Sequence, residues 1–272
     1  MSRNKPILPE RYAVMGNPIS HSLSPMIHQK FAEQTGHTLV YERILIDELT
    51  FEQQVHEFFR KGGKGLNITL PCKQRAFAMS EEITVRCGQA EAANTLWMRQ
   101  GKLHADNTDG IGLLRDLYRL TSLENKSILV IGAGGATRGI LAPLLSMHPA
   151  KLTVVNRTMA KAEALKKEFA QVDCCEFAEL NAPYDVVINA TSSSLQGQNL
   201  PIPPLVMKAR PFCYDLAYQL KGDTSFVGWA RQQGCLASDG LGMLVEQAAE
   251  AYFIWHDVMP DALAVLKALY RA

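Results

Sequence analysis

The chain has 272 residues, 47% of them hydrophobic and 20% charged, and its 28 basic and 27 acidic side chains leave a formal net charge of +1. That length allows one large core or two ordinary ones, and the near-neutral balance excludes the charge excess that nucleic acids and anionic membrane surfaces demand. No apolar run approaches membrane-spanning length, the opening MSRNKPILPER carries no apolar leader core, and the six cysteines (Cys72, Cys87, Cys174, Cys175, Cys213 and Cys235) show neither CxxC nor metal-type spacing with histidine. The expectation is a cytoplasmic protein with reduced thiols, no bound metal and a small-molecule substrate.

Residues 12–16 read as a short strand, followed by the loop NPISHSLS at 17–24 and a helix entered at Pro25, with Ser24 as its N-cap. A strand over 39–46, a helix over 51–60 and a third strand over 65–70, stopped by Pro71, make two βα units and the strand after them. Beyond a helix around 81–87, the runs 95–98 and 103–105 flank RQGK as a hairpin, which makes the sheet mixed and partly parallel. Polar residues gather near the ends of these strands: Ser22, Ser24, Asn67, Thr69, Lys73, Asn94, Asn107, Thr108 and Asp109. Loops at the carboxyl ends of strands are where open α/β sheets place ligands. Hydroxyls, amides, one ammonium and one carboxylate together suit a polyhydroxylated ligand, which needs donors and acceptors side by side. Each residue also has a plain reading: Ser22 and Ser24 as caps or turn formers, Lys73 as a solvated lysine, Thr108 or Asp109 as the cap of a helix over 111–117. His21 has no carboxylate or second histidine at motif spacing and is read as structural.

The stretch SILVIGAGGATRG at 127–139 organises the second half. Its apolar run 128–131 is a strand buried on both faces, Gly132, Gly134 and Gly135 allow a sharp turn beneath a phosphate, and Ile140, Leu141, Leu144 and Leu145 continue at helical spacing. Strand, glycine turn and helix in that order are what a dinucleotide site requires, although Thr137 replaces the third glycine of GxGxxG; a glycine turn with no ligand is the plain alternative. The next strand, 152–155, ends in Asn156, Arg157 and Thr158, where NAD-binding chains place an acid for the ribose 2′-hydroxyl. An amide and a guanidinium fit NADP better, since Arg157 can meet a 2′-phosphate with two parallel bonds and Lys161 lies one helical turn on; an exposed surface charge is the alternative for Arg157. Strands over 172–175, 185–189, 212–215 and 235–237 complete a six-stranded doubly wound sheet, with Ala190, Thr191 and Ser192 placed to lie along the cofactor. Asp239, Gly240 and Gly242 break the chain before an amphipathic helix over 243–255, and a last helix is entered at Pro260. Gln247, polar among Val245, Ala248 and Ala251, is either a pocket residue or solvent-facing.

With GNPISHSLSP at 16–25, NITLPCK at 67–73, AANT at 92–95, NTDGIG at 107–112, GAGGA at 132–136, NRT at 156–158, NATS at 189–192, YDLAY at 214–218 and DGLGMLVEQAA at 239–249, the chain resembles the shikimate dehydrogenase family over essentially its whole length. The resemblance implies an α/β fold of two domains: a mixed α/β substrate domain over 1–108, completed by 243–272, and a doubly wound, Rossmann-type NADP domain over 109–242, with the active site in the cleft between them. It implies reversible, NADPH-dependent reduction of 3-dehydroshikimate to shikimate in aromatic amino-acid biosynthesis, by a monomer or homodimer. It further implies that Ser22, Ser24, Thr69, Asn94 and Gln247 contact the ring hydroxyls or carboxylate, that Lys73 and Asp109 act at the reacting oxygen, and that Asn67 and Tyr218 lie nearby. Gly132, Ala133, Gly134, Gly135, Ala136, Asn156, Arg157, Thr158, Lys161, Ala190, Thr191, Ser192, Leu216 and Gly240 would line the cofactor. The departures are Leu23 where relatives often carry lysine, Cys72 for an aromatic, Lys161 for a second arginine and Ser194 for a glycine. A broader quinate/shikimate dehydrogenase fits less well, because the acid it more often carries near Arg157 is missing. A non-catalytic NADP-binding regulator would be expected to lack Lys73 or Asp109, and both are present. Gly110, Gly112, Gly240 and Gly242 lie near the expected crossings between domains and suggest hinges.

Overall fold

The computed structural model describes residues 9–197 and 200–271, so residues 1–8 of the opening stretch lie outside the described part. The chain divides into two compact units, Met1–Thr108 with Gln247–Ala272 and Asp109–Glu246. No helix among the described residues is long and apolar enough to cross a membrane.

The first unit runs β1 (Glu10–Gly16), α1 (Ser24–Thr35), β2 (Leu39–Leu45), α2 (Phe51–Arg60), β3 (Gly63–Ile68), α3 (Lys73–Met79), β4 (Glu82–Ile83), α4 (Val85–Ala90), β5 (Thr95–Arg99) and β6 (Lys102–Asp106). Its sheet has the order β2-β1-β3-β5-β6-β4. The β1–β2, β1–β3 and β4–β6 pairs are parallel, while β5 pairs antiparallel with both β3 and β6. The apolar face closes on Phe51, Val55 and Phe58 of α2, with Leu66, Ile68 and Leu96 among the buried strand residues. Two expectations change here. The helix read around 81–87 is a two-residue edge strand beside β6 followed by α4, because Thr84 ends the pairing and caps α4 by accepting the Cys87 N–H at 3.3 Å. Ser24 is not the N-cap of α1 but its first residue; Leu23 holds the cap position, and no side chain caps the helix.

The second unit opens with α5 (Asp109–Leu120) and then alternates β7 (Ser127–Ile131), α6 (Gly135–Ser146), β8 (Lys151–Val155), α7 (Met159–Glu168) and β9 (Asp173–Cys175). It continues with β10 (Val186–Asn189), α8 (Pro204–Met207), β11 (Phe212–Asp215), α9 (Ser225–Gln232) and β12 (Ala237–Ser238). All five strand pairs are parallel, in the order β12-β11-β10-β7-β8-β9, which is the doubly wound arrangement with the switch between β7 and β10. The unbroken apolar run of β7 follows directly. Ile128 and Val130 pack among Leu113, Ile140 and Leu144 on one face, while Leu129 and Ile131 pack with Val187, Phe226 and Ala230 on the other. Three of the four glycines read as hinges, Gly110, Gly240 and Gly242, are filled places in this unit. A Cβ on Gly110 would stand 2.7 Å from the Gly139 carbonyl, one on Gly240 2.3 Å from the Leu216 carbonyl, and one on Gly242 2.1 Å from the Asp116 carboxylate. That carboxylate is buried and accepts from Tyr214 at 2.7 Å.

The chain ends in α10 (Leu241–His256) and α11 (Ala262–Leu269), and the boundary between units falls inside α10. Its later turns pack in the first unit, where the Trp255 indole occupies the space a Cβ on Gly65 would need. Around it, His28 stacks on Tyr41 at 4.2 Å between ring centroids, and His256 stacks on Tyr252 at 4.2 Å and lies 4.4 Å from His37. Burial, aided by the neighbouring His256, lowers His28 to about 3; burial, aided by His37, lowers His256 to about 4. Unfolded imidazoles take up a proton near pH ~6.5, so the unfolded chain binds more protons than the folded one below that pH. The stability carried by these neutral rings is therefore complete above about pH 6.5 and lost as pH falls toward 4 and then 3. The urea midpoint of unfolding is expected to fall steadily between pH 7 and pH 4, with a shallower slope in His256→Gln; a midpoint flat over that range contradicts the assignment.

Candidate active site

Strand direction gathers the polar residues of the first unit at one sheet edge. β1, β3 and β6 end there at Gly16, Ile68 and Asp106, and antiparallel β5 begins there at Thr95. Since β2 and β3 lie on opposite sides of β1, this edge is a switch point, where an open sheet leaves a crevice. Gly16 matters at that place: a Cβ on it would stand 2.2 Å from the Thr69 methyl. Thr69 thus closes over the end of β1, donating its N–H to the Met15 carbonyl at 2.9 Å.

Asn94 lies at the centre, 2% exposed. Its Oδ1 accepts from the Thr108 N–H and the Thr95 hydroxyl, both at 2.9 Å, and its Nδ2 donates to the Thr108 hydroxyl at 2.9 Å and to Gln247 Oε1 at 3.3 Å. Asn67 is committed beside it: Nδ2 donates to the Asn94 carbonyl at 3.0 Å and the Thr95 hydroxyl at 3.1 Å, and Oδ1 accepts from Tyr41 at 2.6 Å. Gln247 is therefore a network residue rather than a solvent-facing one, and Thr108 spends its hydroxyl here rather than on a helix cap. Ser22 and Ser24 form a second pair, hydroxyl to hydroxyl at 3.2 Å, at the start of α1. Burial raises the Tyr41 phenol well above its usual range, with a hydrogen bond to Ser24 working the other way. Half-buried Lys73 opens α3, and its carbonyl accepts the Ala93 N–H at 2.9 Å, which ties the start of α3 to the AANT segment.

Behind this network stands a charged group that no sequence spacing reveals. Asp106 accepts from Arg86 at 2.8 and 2.6 Å and from the Thr84 hydroxyl at 2.6 Å. Glu250, one helical turn beyond Gln247, takes the same guanidinium at 2.8 Å. Burial opposes the charge on Arg86, but the two carboxylates outweigh it and raise its pKa. Tyr41 is likewise missed from sequence, where it reads as one more strand aromatic.

In the second unit the switch point has the features of a nucleotide cradle. Gly132 has φ +106°, Gly134 is the N-cap of α6 with no side-chain cap, and nothing stands within 4 Å of where a Cβ on Gly134 or Gly135 would be. The helix amides there face open space suited to a phosphate. Thr137, in place of the third glycine, is buried with its hydroxyl donating to the Gly132 carbonyl at 2.8 Å. At the end of β8, Asn156 Nδ2 donates to the Thr158 carbonyl at 2.8 Å, and Arg157 and Lys161 are exposed with no acidic partner among the described residues. Two uncompensated cations beside that turn fit a 2′-phosphate. Asp109 opens α5, and half-buried Tyr218 follows β11 with its phenol raised by burial.

Asn189 and Asp215, at the ends of β10 and β11, fix the loop that carries Ala190, Thr191 and Ser192. Asn189 Oδ1 accepts from the Thr191 N–H at 3.1 Å and hydroxyl at 2.7 Å, and Nδ2 donates to Ser194 at 2.8 Å and Asp215 at 3.0 Å. Asp215 also accepts from Thr224 at 2.6 Å and the Ala217 N–H at 3.2 Å; burial raises its pKa against these bonds. The hydroxyl of Ser194 thus has a defined use in this chain. Leu216 and Gly240 pack backbone to backbone, which explains the glycine by close approach.

Three family models match this chain: "Shikimate dehydrogenase substrate binding domain" over residues 14–96, "Shikimate / quinate 5-dehydrogenase" over 117–197, and "Shikimate 5'-dehydrogenase C-terminal domain" over 240–270. The shikimate dehydrogenase (NADP(+)) of Legionella pneumophila strain Corby is 57% identical over 259 residues, covering 95% of this chain and 98% of that one. The chain belongs to the shikimate dehydrogenase family. It is an oxidoreductase of the NADP-dependent kind. An Ael1 enzyme of Pseudomonas putida has a TM-score of 0.90 at 44% identity, covering 96% of this chain and 98% of that one. Shikimate 5-dehydrogenase of Thermus thermophilus, in complex with NADP(H) and shikimate, has a TM-score of 0.88 at 30% identity, covering 96% of this chain and 99% of that one.

Replacing Asp215 by alanine leaves the Thr224 O–H and one Asn189 N–H without an acceptor in the interior, at a cost of about 1–3 kcal/mol for each such group. Asp215→Ala is expected to lower the urea midpoint and weaken NADP binding in a fluorescence titration; unchanged affinity contradicts the role given to the 190–194 loop.

Proposed function

We propose a division of labour among these residues for the reaction of the family, the NADP-dependent interconversion of 3-dehydroshikimate and shikimate, which this chain catalyses. Its first unit is the substrate domain, its second the NADP domain, and the reaction belongs to the cytoplasm, in keeping with six cysteines that form no disulfide. When bound, NADPH supplies the hydride. The turn Gly132–Ala136 and the first amides of α6 hold the pyrophosphate, Asn156, Arg157, Thr158 and Lys161 the adenosine ribose with its 2′-phosphate, and Ala190, Thr191, Ser192, Leu216 and Gly240 the remainder.

Ser22 and Ser24 are the seat of the substrate carboxylate: two hydroxyls at the positive end of α1, whose first turn holds no acidic residue. Thr69, Asn94 and Gln247 take the ring hydroxyls, Asn67 fixes Asn94 from behind, and Tyr218 completes the set. Lys73 carries the proton. In the direction of reduction it is the general acid, donating to the ketone oxygen as negative charge develops there. Asp109 accepts a hydrogen bond from the hydroxyl so formed and orients it.

The observation that carries this reading is the Asn67–Asn94–Thr108–Gln247 network, which sets amides and hydroxyls together at one strand edge beside Thr69 and the start of α3. Lys73→Ala is expected to lower kcat by about 100-fold or more, the scale of a lost general acid, with the dissociation constant for NADP unchanged. Retained turnover would remove Lys73 from the role.

A further inference from the structure

We infer that Arg43 selects for the anionic end of the substrate by supplying the positive charge that the Ser22–Ser24 seat itself lacks. The inference rests on the assignment of the carboxylate to those two serines. Arg43 projects from β2 and donates twice to one acceptor, the carbonyl of Ser22, from Nε at 2.9 Å and Nη2 at 2.6 Å. That acceptor is a neutral backbone oxygen. Among the described residues Arg43 has no carboxylate partner, in contrast to other arginines of the first unit: Arg11 pairs with Glu42 at 2.9 Å, Arg60 with Glu57 at 2.7 Å and Arg75 with Glu52 at 2.5 Å. An arginine whose charge is neutralised locally contributes little at a distance, whereas this one keeps its whole charge on the residue that begins the seat.

The rest of the loop points the same way. The Ser22 hydroxyl donates to Ser24, and the Ser24 N–H donates back to the Ser22 oxygen at 3.3 Å, which holds the two side chains on one side of the turn. Ser24 is the first residue of α1, whose first turn carries no acid and whose start carries no side-chain cap. Helix end and guanidinium thus share one sign of potential around the loop that carries the hydroxyl pair. Two hydroxyls alone would serve a neutral ester or alcohol as well as a carboxylate. The charge is what distinguishes them, and because Arg43 is exposed its effect is screened by salt.

The test is steady-state kinetics at saturating NADP with shikimate and its methyl ester, the ester measured as substrate or as competitive inhibitor, in wild type, Arg43→Gln and Arg43→Lys. Arg43→Gln is expected to raise KM for shikimate about 3- to 10-fold, the scale of one charge lost in a partly solvated setting, with kcat unchanged and the ester constant unmoved. Arg43→Lys should recover most of the shikimate KM. In wild type the shikimate KM should rise with added salt and the ester constant should not, and Arg43→Gln should lose that salt dependence. Equal losses for acid and ester make Arg43 a clamp on the loop and overturn the inference, as does an Arg43→Gln enzyme indistinguishable from wild type. Ser24→Ala separates the underlying assignment: if it leaves the shikimate KM unchanged, the seat itself is misplaced, whatever Arg43 does.

Discussion

Asn94 brings a full set of amide donors and acceptors to a position almost sealed from water, and each must find a partner or cost the fold a kilocalorie or more. The partners come from far apart in the chain: Thr95 beside it, Thr108 after β6, Gln247 on α10 and, through its carbonyl, Asn67 on β3. Satisfying one side chain therefore fixes the register of the β3–β5–β6 edge and the rotation of the last long helix. Arg86, joined to both Asp106 and Glu250, repeats the connection one layer behind. In the role proposed for this network, a ligand with several hydroxyls would meet groups already oriented, which lowers the entropy lost on binding.

In the second unit the same problem is solved by backbone. Parallel strands buried on both faces leave their carboxyl ends as the one polar edge, and the reversal of strand order between β7 and β10 opens a place there. Glycines then bring main-chain donors to that place, while Asn189 and Asp215 stiffen the facing loop with a hydrogen-bond network sealed from solvent. The contact of the Thr191 methyl with Gly132, where a Cβ would stand 2.9 Å away, shows how closely the two loops meet.

Much of this was legible in the sequence because periodicity and glycine chemistry are local. The run 128–131, the turn at Gly132 and the RQGK hairpin declare themselves within a dozen residues, and all three are present. What was not legible depends on distant partners. Asp215 looks like the polar end of a strand until Thr224 and Asn189 close on it, and Arg86 looks like a surface charge until Asp106 and Glu250 arrive from 20 and 164 residues away. Ser24 has the composition of an N-cap, but the turn places Leu23 there and turns the Ser24 hydroxyl to Ser22. The short strand at Glu82–Ile83 forms only because β6 offers it an edge.

The proposed roles combine two specificities: for an anionic polyol ring at the network of the first unit, and for a nucleotide 2′-phosphate at the uncompensated Arg157 and Lys161 of the second. The most direct measurement is the set of initial rates, by nicotinamide absorbance, for shikimate or quinate crossed against NADP or NAD. Shikimate with NADP should lead by orders of magnitude in kcat/KM over either exchange. Comparable rates with NAD would contradict the role given to Arg157 and Lys161, and comparable rates with quinate would contradict the fit of the network around Asn94.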